Sequence, residues 1–473
     1  MIRLWLALAL AVPLCATPLT VKVRVPTARG AAVLDLPLER YVAGVLAGES
    51  SLFRSDAALR AMAVAARTYA VRLRGRHAAE GFDFCATTHC QRVDMDGITA
   101  RLVSIADETA GELLWFEGKP AFTPYTRDCG GRTEDAAVAW PDLAAPYLKS
   151  HPDPYCTRAG TEVWQWDADP ANIVKALVAA GLRTPPALTG IAVVSRTTSG
   201  RAIALSLTGA GEPIRISAGS FRFAVGRELG WNTVRSDLYE IRSASGRILF
   251  QGRGAGHGVG LCQRGADQMG AEGRSYRDIL AFYYPGTAVG ITARGFAWQR
   301  LGGESVALWT TQPDRDASVL EIAERESRRV TQRTNWPWPA RVEIRIYPDL
   351  DSFRNATGEP GWVAGFTGGR RIQLQPASVL RSRGVLVETV RHELFHVAVE
   401  SRAAAGLPLW FREGIVAYLT GPASARRAYA ESIHAVAELV NRYGEAAVLD
   451  WVARGLPPEV RNTSTSQAPT KSK

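Results

Sequence analysis

Long apolar runs are nearly absent from this sequence. The one present, within MIRLWLALALAVPLCA at residues 1–16, holds about 12 uncharged apolar residues, short of the roughly 17 that a spanning helix needs. Its single Arg, its apolar run and the small residue before Thr17-Pro18 read as a secretory signal peptide cleaved near Ala16. Leu14 directly before Cys15 argues against lipid attachment there. Internal repeats are also absent. A chain of 473 residues is too long for one ordinary core, so two or more domains are expected. With 46% hydrophobic and 22% charged residues, wholesale disorder is excluded. Acidic residues fall short of basic ones, leaving a net charge of +10 that suits an acidic partner. Export makes nucleic acid the least fitting choice and leaves anionic lipid or an anionic wall polymer. Without Cys15, five cysteines remain, an odd number that can divide between a disulfide, a metal and free thiols.

What is present falls into two blocks. LTVKVRV (19–25) reads as a strand, followed by two helices. Asp35-Leu36-Pro37 opens the first, with Leu38, Tyr41, Val42, Val45 and Leu46 at helical spacing. The second is expected from Ser55 as N-cap, with Leu59, Met62, Ala66, Tyr69 and Leu73 as its buried stripe. Residues 160–250 are strand-rich by alternation and β-branching, and a Gly-rich loop at 252–266 leads into another helix. A second block begins near residue 304, with a charged helix at 317–333, a strand in ARVEIRIYP, and helices carrying His392 and following Pro408. RNTSTSQAPTKSK at the end is polar and reads as disordered.

Histidine is scarce, with seven in all, yet two stand four apart in VRHELFHVAVE. Positions i and i+4 share a helix face, so His392 and His396 can offer two imidazoles to one zinc ion. Glu393 beside them is placed to accept a proton, the general-base role of a metallopeptidase. Glu413, in PLWFREGIVAYL seventeen residues after His396, supplies a third ligand if two antiparallel helices bring it back. The segment resembles the glutamate-third-ligand zinc peptidases, the gluzincin or peptidase MA-like group, over roughly 305–420. That resemblance implies His392, His396 and Glu413 as ligands and Glu393 as base. Tyr418 and His434 are weak candidates for stabilising an oxyanion.

The first block carries its own candidate acid. Glu49 extends the apolar series of the first helix and lies at its C-terminal end, where burial and the helix dipole both disfavour ionisation. A raised carboxyl pKa is what a general acid near neutrality needs. A solvated helix end is the bland alternative. Arg67 can orient that acid or bind sugar, or it can belong to a solvated stripe with Arg60 and Arg74. His257 lies in GAGHGVGLCQRGA, whose glycines permit close backbone approach. The loop lacks the Lys-Ser/Thr of a phosphate-binding loop, so it is either a ligand contact or a structural turn. CATTHCQ gathers Cys85, His89 and Cys90, with His77 eight residues upstream of Cys85. They can hold a structural zinc, or Cys85 and Cys90 can form a disulfide. Cys129 can pair with Cys156 or with Cys262.

AGVLAGESSLFRSDAALRAMAVAARTYAV, CATTHCQ with CGGRTE, and GAGHGVGLCQRGA, in that order over about 30–290, resemble the sporulation stage II D (SpoIID/LytB) domain. The resemblance implies a lytic transglycosylase acting on peptidoglycan glycan strands, with Glu49 at the position of the catalytic glutamate. Some relatives prefer strands stripped of stem peptides. Others are non-catalytic wall-binding modifiers that stimulate an amidase, which leaves open a first domain that only binds. Glu39 and Asp56 lie close in sequence, so spacing alone does not exclude hydrolysis. The expected fold class is α+β, multidomain. A signal peptide at 1–16 precedes a mixed SpoIID-like domain at 17–298, a mainly helical zincin-like domain with a small sheet at 304–455, and a disordered tail at 456–473. The expected location is the periplasm or cell wall.

Overall fold

The structure, a computed structural model, describes residues 20–27, 30–244, 246–421 and 430–463. The expected signal peptide, at 1–16, and the last ten residues lie outside the described residues. The chain divides into two compact units, the first Thr20–Gly295 and the second from Phe296 onward. Each mixes helices with small sheets, as the α+β reading expects.

In the first unit, β1 (Thr20–Thr27) pairs antiparallel with β2 (Gly30–Pro37). The helix expected from Asp35 therefore begins later: α1 spans Leu38–Glu49, directly after β2. Its buried series, Leu38, Tyr41, Val42, Val45 and Leu46, is the one the periodicity gives. Helix α2 (Asp56–Arg72) starts where expected, with the Ser55 side chain accepting the Ala58 N–H. Its burial is wider than a stripe. Residues 58–59 and 61–70 are all buried, because six alanines among them let neighbouring elements approach from every side. A two-residue strand β3 (Phe84–Cys85) pairs parallel with β1. Strand β4 (Tyr125–Thr126), helix α3 (Pro154–Arg158), strand β5 (Leu261–Cys262) and helix α4 (Gln263–Ala271) complete what surrounds the site, with β5 parallel to β4.

The strand-rich middle forms two three-stranded antiparallel sheets. One joins 188–196, 202–209 and 214–217, and the other 163–168, 239–244 and 247–253. Helices Pro170–Ala179 and Ala218–Leu229 cover them, giving a core around Ile173, Leu205, Phe221 and Phe250.

The second unit is built on a five-stranded sheet. Its members are β6 (Gln299–Gly302), β7 (Val306–Thr310), β8 (Val342–Ile346), β9 (Gly365–Gly368) and β10 (Arg371–Leu374), in the order β6-β7-β8-β10-β9. Pairing is parallel at β7–β8 and β8–β10 and antiparallel at both edges. Because β6 belongs to this sheet, the domain boundary lies before residue 299. The long helix α5 (Pro313–Thr334), α6 (Leu386–Glu400) and α7 (Leu409–Thr420) pack with the sheet in one core. Leu456 and Val460 are buried in that core, and Pro458–Thr463 is helical, so the ordered chain runs past the expected boundary at 455.

Candidate functional site

Glu49 is the last residue of α1 and is half-buried. Two glycines four apart on that helix, Gly44 and Gly48, let residues 92–95 run directly over it. A Cβ on Gly48 would stand 2.4 Å from the Arg92 carbonyl oxygen, and one on Gly44 2.9 Å from Val93. The crossing segment is tied down by Asp94 N–H to the Gly44 carbonyl (3.0 Å) and by Arg92 N–H to Glu49 Oε1 (3.1 Å). Gln263, the first residue of α4, also hydrogen-bonds the Glu49 carboxyl. Burial raises the Glu49 pKa, while those two hydrogen bonds and the charges of Arg92 and Arg127 pull it down; burial wins. The raised acid expected from sequence is present, with desolvation as its main cause.

Around this carboxyl stands a polar network that the sequence reading missed. The Gln91 amide donates to the Tyr125 hydroxyl (3.2 Å) and accepts from the Tyr41 hydroxyl (2.8 Å). Burial, and then the charge of Glu49, push the Tyr125 pKa well up, so its phenol stays protonated. Arg127, two residues on, is exposed, reaches Ser51 Oγ at 3.3 Å and pairs with Glu162 at 3.4 Å, and its charge acts on the acid.

His257 sits in a loop whose alternate residues, Gly254, Gly256, Gly258 and Gly260, all have positive φ. Side chains there would collide with the 124–128 segment or Arg201; at Gly260 a Cβ would lie 2.0 Å from the Pro124 carbonyl oxygen. The His257 ring accepts the Val259 N–H at Nδ1 (3.0 Å), bonds the Tyr125 main chain, and meets the Trp140 ring edge-on at 4.7 Å. Burial, then Arg222 and Arg201, lower its pKa to about 3, so it is neutral. The structure thus gives His257 a different task from the sugar contact expected. Its bonding is spent on holding the backbone of Tyr125 beside Glu49.

Arg67 is likewise placed elsewhere than expected. It is fully buried, and its guanidinium forks onto Glu39 (Nε–Oε1 3.0 Å) and reaches the carbonyls of Ala106 and Glu112. It is neither solvated nor open to a sugar. Glu39 lies in the first turn of α1 and Glu49 at its end, about 15 Å apart at 1.5 Å per residue. Arg67 therefore anchors one end of the helix that presents the acid at the other. Arg60, by contrast, pairs with Glu108, and Arg74 is exposed.

The Cys/His cluster assembles as the spacing expects. Ligand atoms of His77, Cys85, His89 and Cys90 all lie within 4.8 Å of one another. His77 Nε2 is 3.3 Å from Cys90 Sγ, and His89 Nδ1 is 3.6 and 3.7 Å from the two sulfurs. Glu80 holds the other ring nitrogen of His77 at 2.6 Å, the carboxylate–histidine pairing typical of metal ligands. Cys85 and Cys90 carry free thiols. Two sulfurs and two imidazoles fit a closed tetrahedral zinc. Cys90 runs straight into Gln91 and Arg92, so such an ion would fix the segment that holds Glu49.

In the second unit, α6 carries His392 and His396 with Nε2 atoms 3.2 Å apart, and His396 Nε2 is 3.5 Å from Glu413 Oε2 on α7. Ligands about 2.0–2.1 Å from a tetrahedral ion stand about 3.3 Å from each other, close to both of these spacings. Gly414 lets α7 lie close to the next helix, since a Cβ there would be 2.5 Å from the Ser432 carbonyl oxygen. Glu393 is buried and accepts a hydrogen bond from Thr367 Oγ1 on the edge strand β9 (2.6 Å). No sequence signal singled out Thr367. Of the two weak oxyanion candidates, Tyr418 donates to Glu445 (3.1 Å), while His434 is exposed and pairs with Glu438.

The SpoIID family of Stage II sporulation proteins matches residues 28–116, which include Glu49, Arg67 and the Cys/His cluster. An uncharacterized protein of Brachyspira hyodysenteriae is 31% identical over 262 residues, 54% of this chain and 67% of its own. Stage II sporulation protein D of Bacillus subtilis is 28% identical over 294 residues, covering 56% of this chain and 79% of its own. The amidase enhancer of Bacillus subtilis is 25% identical over 286 residues, 52% of this chain and 40% of its own. The first unit therefore carries a SpoIID domain and is similar to Stage II sporulation protein D.

Proposed function

We propose that the first unit is a lytic transglycosylase that cleaves peptidoglycan glycan strands, and that the second is a zinc-dependent peptidase carried on the same exported chain. The observation that carries the first reading is Glu49, a carboxyl whose pKa burial raises, yet one hydrogen-bonded by Arg92 N–H and Gln263, which stabilise its ionised form once the proton leaves. In the reaction, Glu49 gives its proton to the glycosidic oxygen as the C1–O bond breaks. The carboxylate then takes the proton of the muramic acid 6-hydroxyl, whose oxygen bonds to C1 and closes a 1,6-anhydro ring. No water is consumed, and one carboxyl serves both steps. Neither sequence neighbour supplies a second carboxylate, because Glu39 is bound to Arg67 and Asp56 to Arg101. The exposed Arg127 and the net charge of +10 suit a polymer bearing lactyl carboxylates.

In the second unit, His392, His396 and Glu413 would hold a zinc ion, which when bound supplies Lewis acidity and an acidified water. Glu393 accepts and returns the proton, and Thr367 holds its carboxylate in place. The strand β9, an edge beside α6, offers backbone groups to which an extended peptide can add.

Among the described residues no helix is long and apolar enough to cross a membrane. Export to the periplasm or wall remains our reading of the leader. A second reading, favoured by the amidase-enhancer relative, makes the first unit a wall-binding partner of an amidase. The test digests intact and amidase-stripped peptidoglycan and detects ends by mass spectrometry. Anhydromuramic ends made by the wild type and lost in Glu49→Gln support the transglycosylase. No ends from either substrate, with an added amidase accelerated, would replace it by the binding role.

A further inference from the structure

Three cysteines remain outside the site described above, and they do not behave as a disulfide pair with a spare thiol. Cys129, Cys156 and Cys262 are all fully buried and all free. They converge from three separate segments: the turn after β4, helix α3, and strand β5. Asp153, the N-cap of α3, points among them, and the four ligand atoms lie within 4.8 Å of one another.

The electrostatics of this pocket ask for a cation. The Asp153 carboxylate, also fully buried, accepts from Cys156 N–H (2.9 Å), the Tyr283 hydroxyl (2.8 Å) and the Cys129 thiol (3.2 Å), none of which is charged. The nearby guanidiniums are engaged otherwise, Arg264 with Asp128 and Arg201 with the Cys129 carbonyl. An isolated buried carboxylate is costly, and a coordinated ion is one of the few ways to compensate it. The surroundings are also those of a ligand set. Cys129 N–H donates to Cys262 Sγ (3.2 Å), as main-chain amides do toward metal-bound thiolates, and the tyrosine orients the carboxylate. Gly265 leaves the room this needs, since a Cβ there would be 2.1 Å from the Tyr283 hydroxyl oxygen and 2.6 Å from Asp153.

We propose that Cys129, Asp153, Cys156 and Cys262 form a second closed metal site in the first unit, a three-thiolate, one-carboxylate site for zinc. Three soft sulfurs with one hard oxygen in tetrahedral array select zinc over calcium or magnesium. Ligands at about 2.3 Å (sulfur) and 2.0 Å (oxygen) stand some 3.5–3.8 Å apart, so the cluster closes on an ion by a contraction of about 1 Å or less. Binding displaces the thiol protons to solvent and changes no oxidation state. A disulfide, by contrast, would use two sulfurs and leave the third thiol and Asp153 without a task. The site's role is structural, because all four ligands are shut from solvent and leave no open position for a substrate. It would staple segments up to 133 residues apart in sequence. Two of its ligands adjoin the candidate acid's surroundings: Cys262 precedes Gln263, and Cys129 follows Arg127 by two residues.

The test uses the full chain in a Cys85→Ser/Cys90→Ser/His396→Ala background, which removes the other two candidate metal sites. Elemental analysis should find one zinc per chain, and X-ray absorption should show three sulfur neighbours and one oxygen. Asp153→Asn, which keeps the shape and most of the hydrogen bonding, should weaken zinc binding 10- to 100-fold, and Cys156→Ser should abolish it. If Cys156→Ser fails to fold, the stoichiometry and sulfur count of the background still decide. A folded background protein without metal, or a disulfide between any two of the three cysteines found by non-reducing peptide mapping of the wild type, would overturn the site.

Discussion

Glu49 and Glu393 are the two glutamates on which this chain's chemistry is proposed to rest, and they are built in opposite ways. Glu393 has its working partners close in sequence: His392 and His396 on its own helix, and Glu413 on the next. Glu49 has almost none nearby. Arg92 lies 43 residues away, Tyr125 and Arg127 further on, and Gln263 comes from the far end of the unit. One site is a spacing on a helix, and the other is an environment assembled by the fold. A carboxylate beside a metal needs its ligands placed, whereas a general acid needs water removed, and removing water takes many segments.

The comparison breaks most visibly by crossing the two residues. Glu49→Gln should lower formation of anhydromuramic ends by two to four orders of magnitude and leave peptide hydrolysis unchanged, while Glu393→Gln does the reverse. Chromatography of glycan and peptide products from the same digest checks both. If either change silences both activities, the two sites are not independent. Next in size is Arg67→Met, which strips a buried guanidinium from Glu39 at the start of α1. We expect a loss of about 3 kcal/mol in the first unit, read as an earlier urea transition, with Arg67→Lys recovering only part of it. A smaller change comes from Cys85→Ser with Cys90→Ser. Loosening the segment that carries Gln91 and Arg92 should reduce glycan cleavage about 10- to 100-fold and leave peptide hydrolysis intact. Equal glycan rates would show that the cluster does not support the acid. Thr367→Val should be the mildest, about a tenfold fall in kcat for peptide hydrolysis with the bound zinc retained.

The same contrast explains how much the sequence disclosed. Helices α1 and α2, the strand-rich middle and the helix carrying His392 were legible because apolar periodicity and capping residues act within a few positions. The spacing of His392 and His396 on one helix was legible for that reason too. Strand β2 was not, because Asp35-Leu36-Pro37 satisfies the signal for a helix start, while β1 decides the matter by pairing with it. Whether Arg67 serves the acid, a sugar or a solvated stripe was not legible, because its partner Glu39 lies 28 residues earlier. His257 stands among glycines that suggest a ligand loop, yet those glycines serve close packing against 124–128, and the ring serves Tyr125. The tripeptide Cys-Gln-Arg occurs twice, at Cys90-Gln91-Arg92 and Cys262-Gln263-Arg264. Each sets a cysteine of a metal-fitting cluster immediately before a glutamine in the Glu49 network. Gly44 and Gly48 were a clue, since glycines four apart on a helix mark where a second segment crosses.

Glu49 is proposed to work as an acid because burial raises its pKa. The most direct measurement is the pH profile of kcat/KM for anhydromuramic-end formation on glycan strands between pH 4 and pH 9. A raised carboxyl pKa keeps the acid protonated at low pH and releases the proton as pH rises through it. The rate should therefore fall on the alkaline side, with an apparent pKa above the ordinary glutamate value of 4.5. A rate that instead climbs as a carboxylate ionises near pH 4.5, and then holds level to pH 9, would contradict the account and make Glu49 a base.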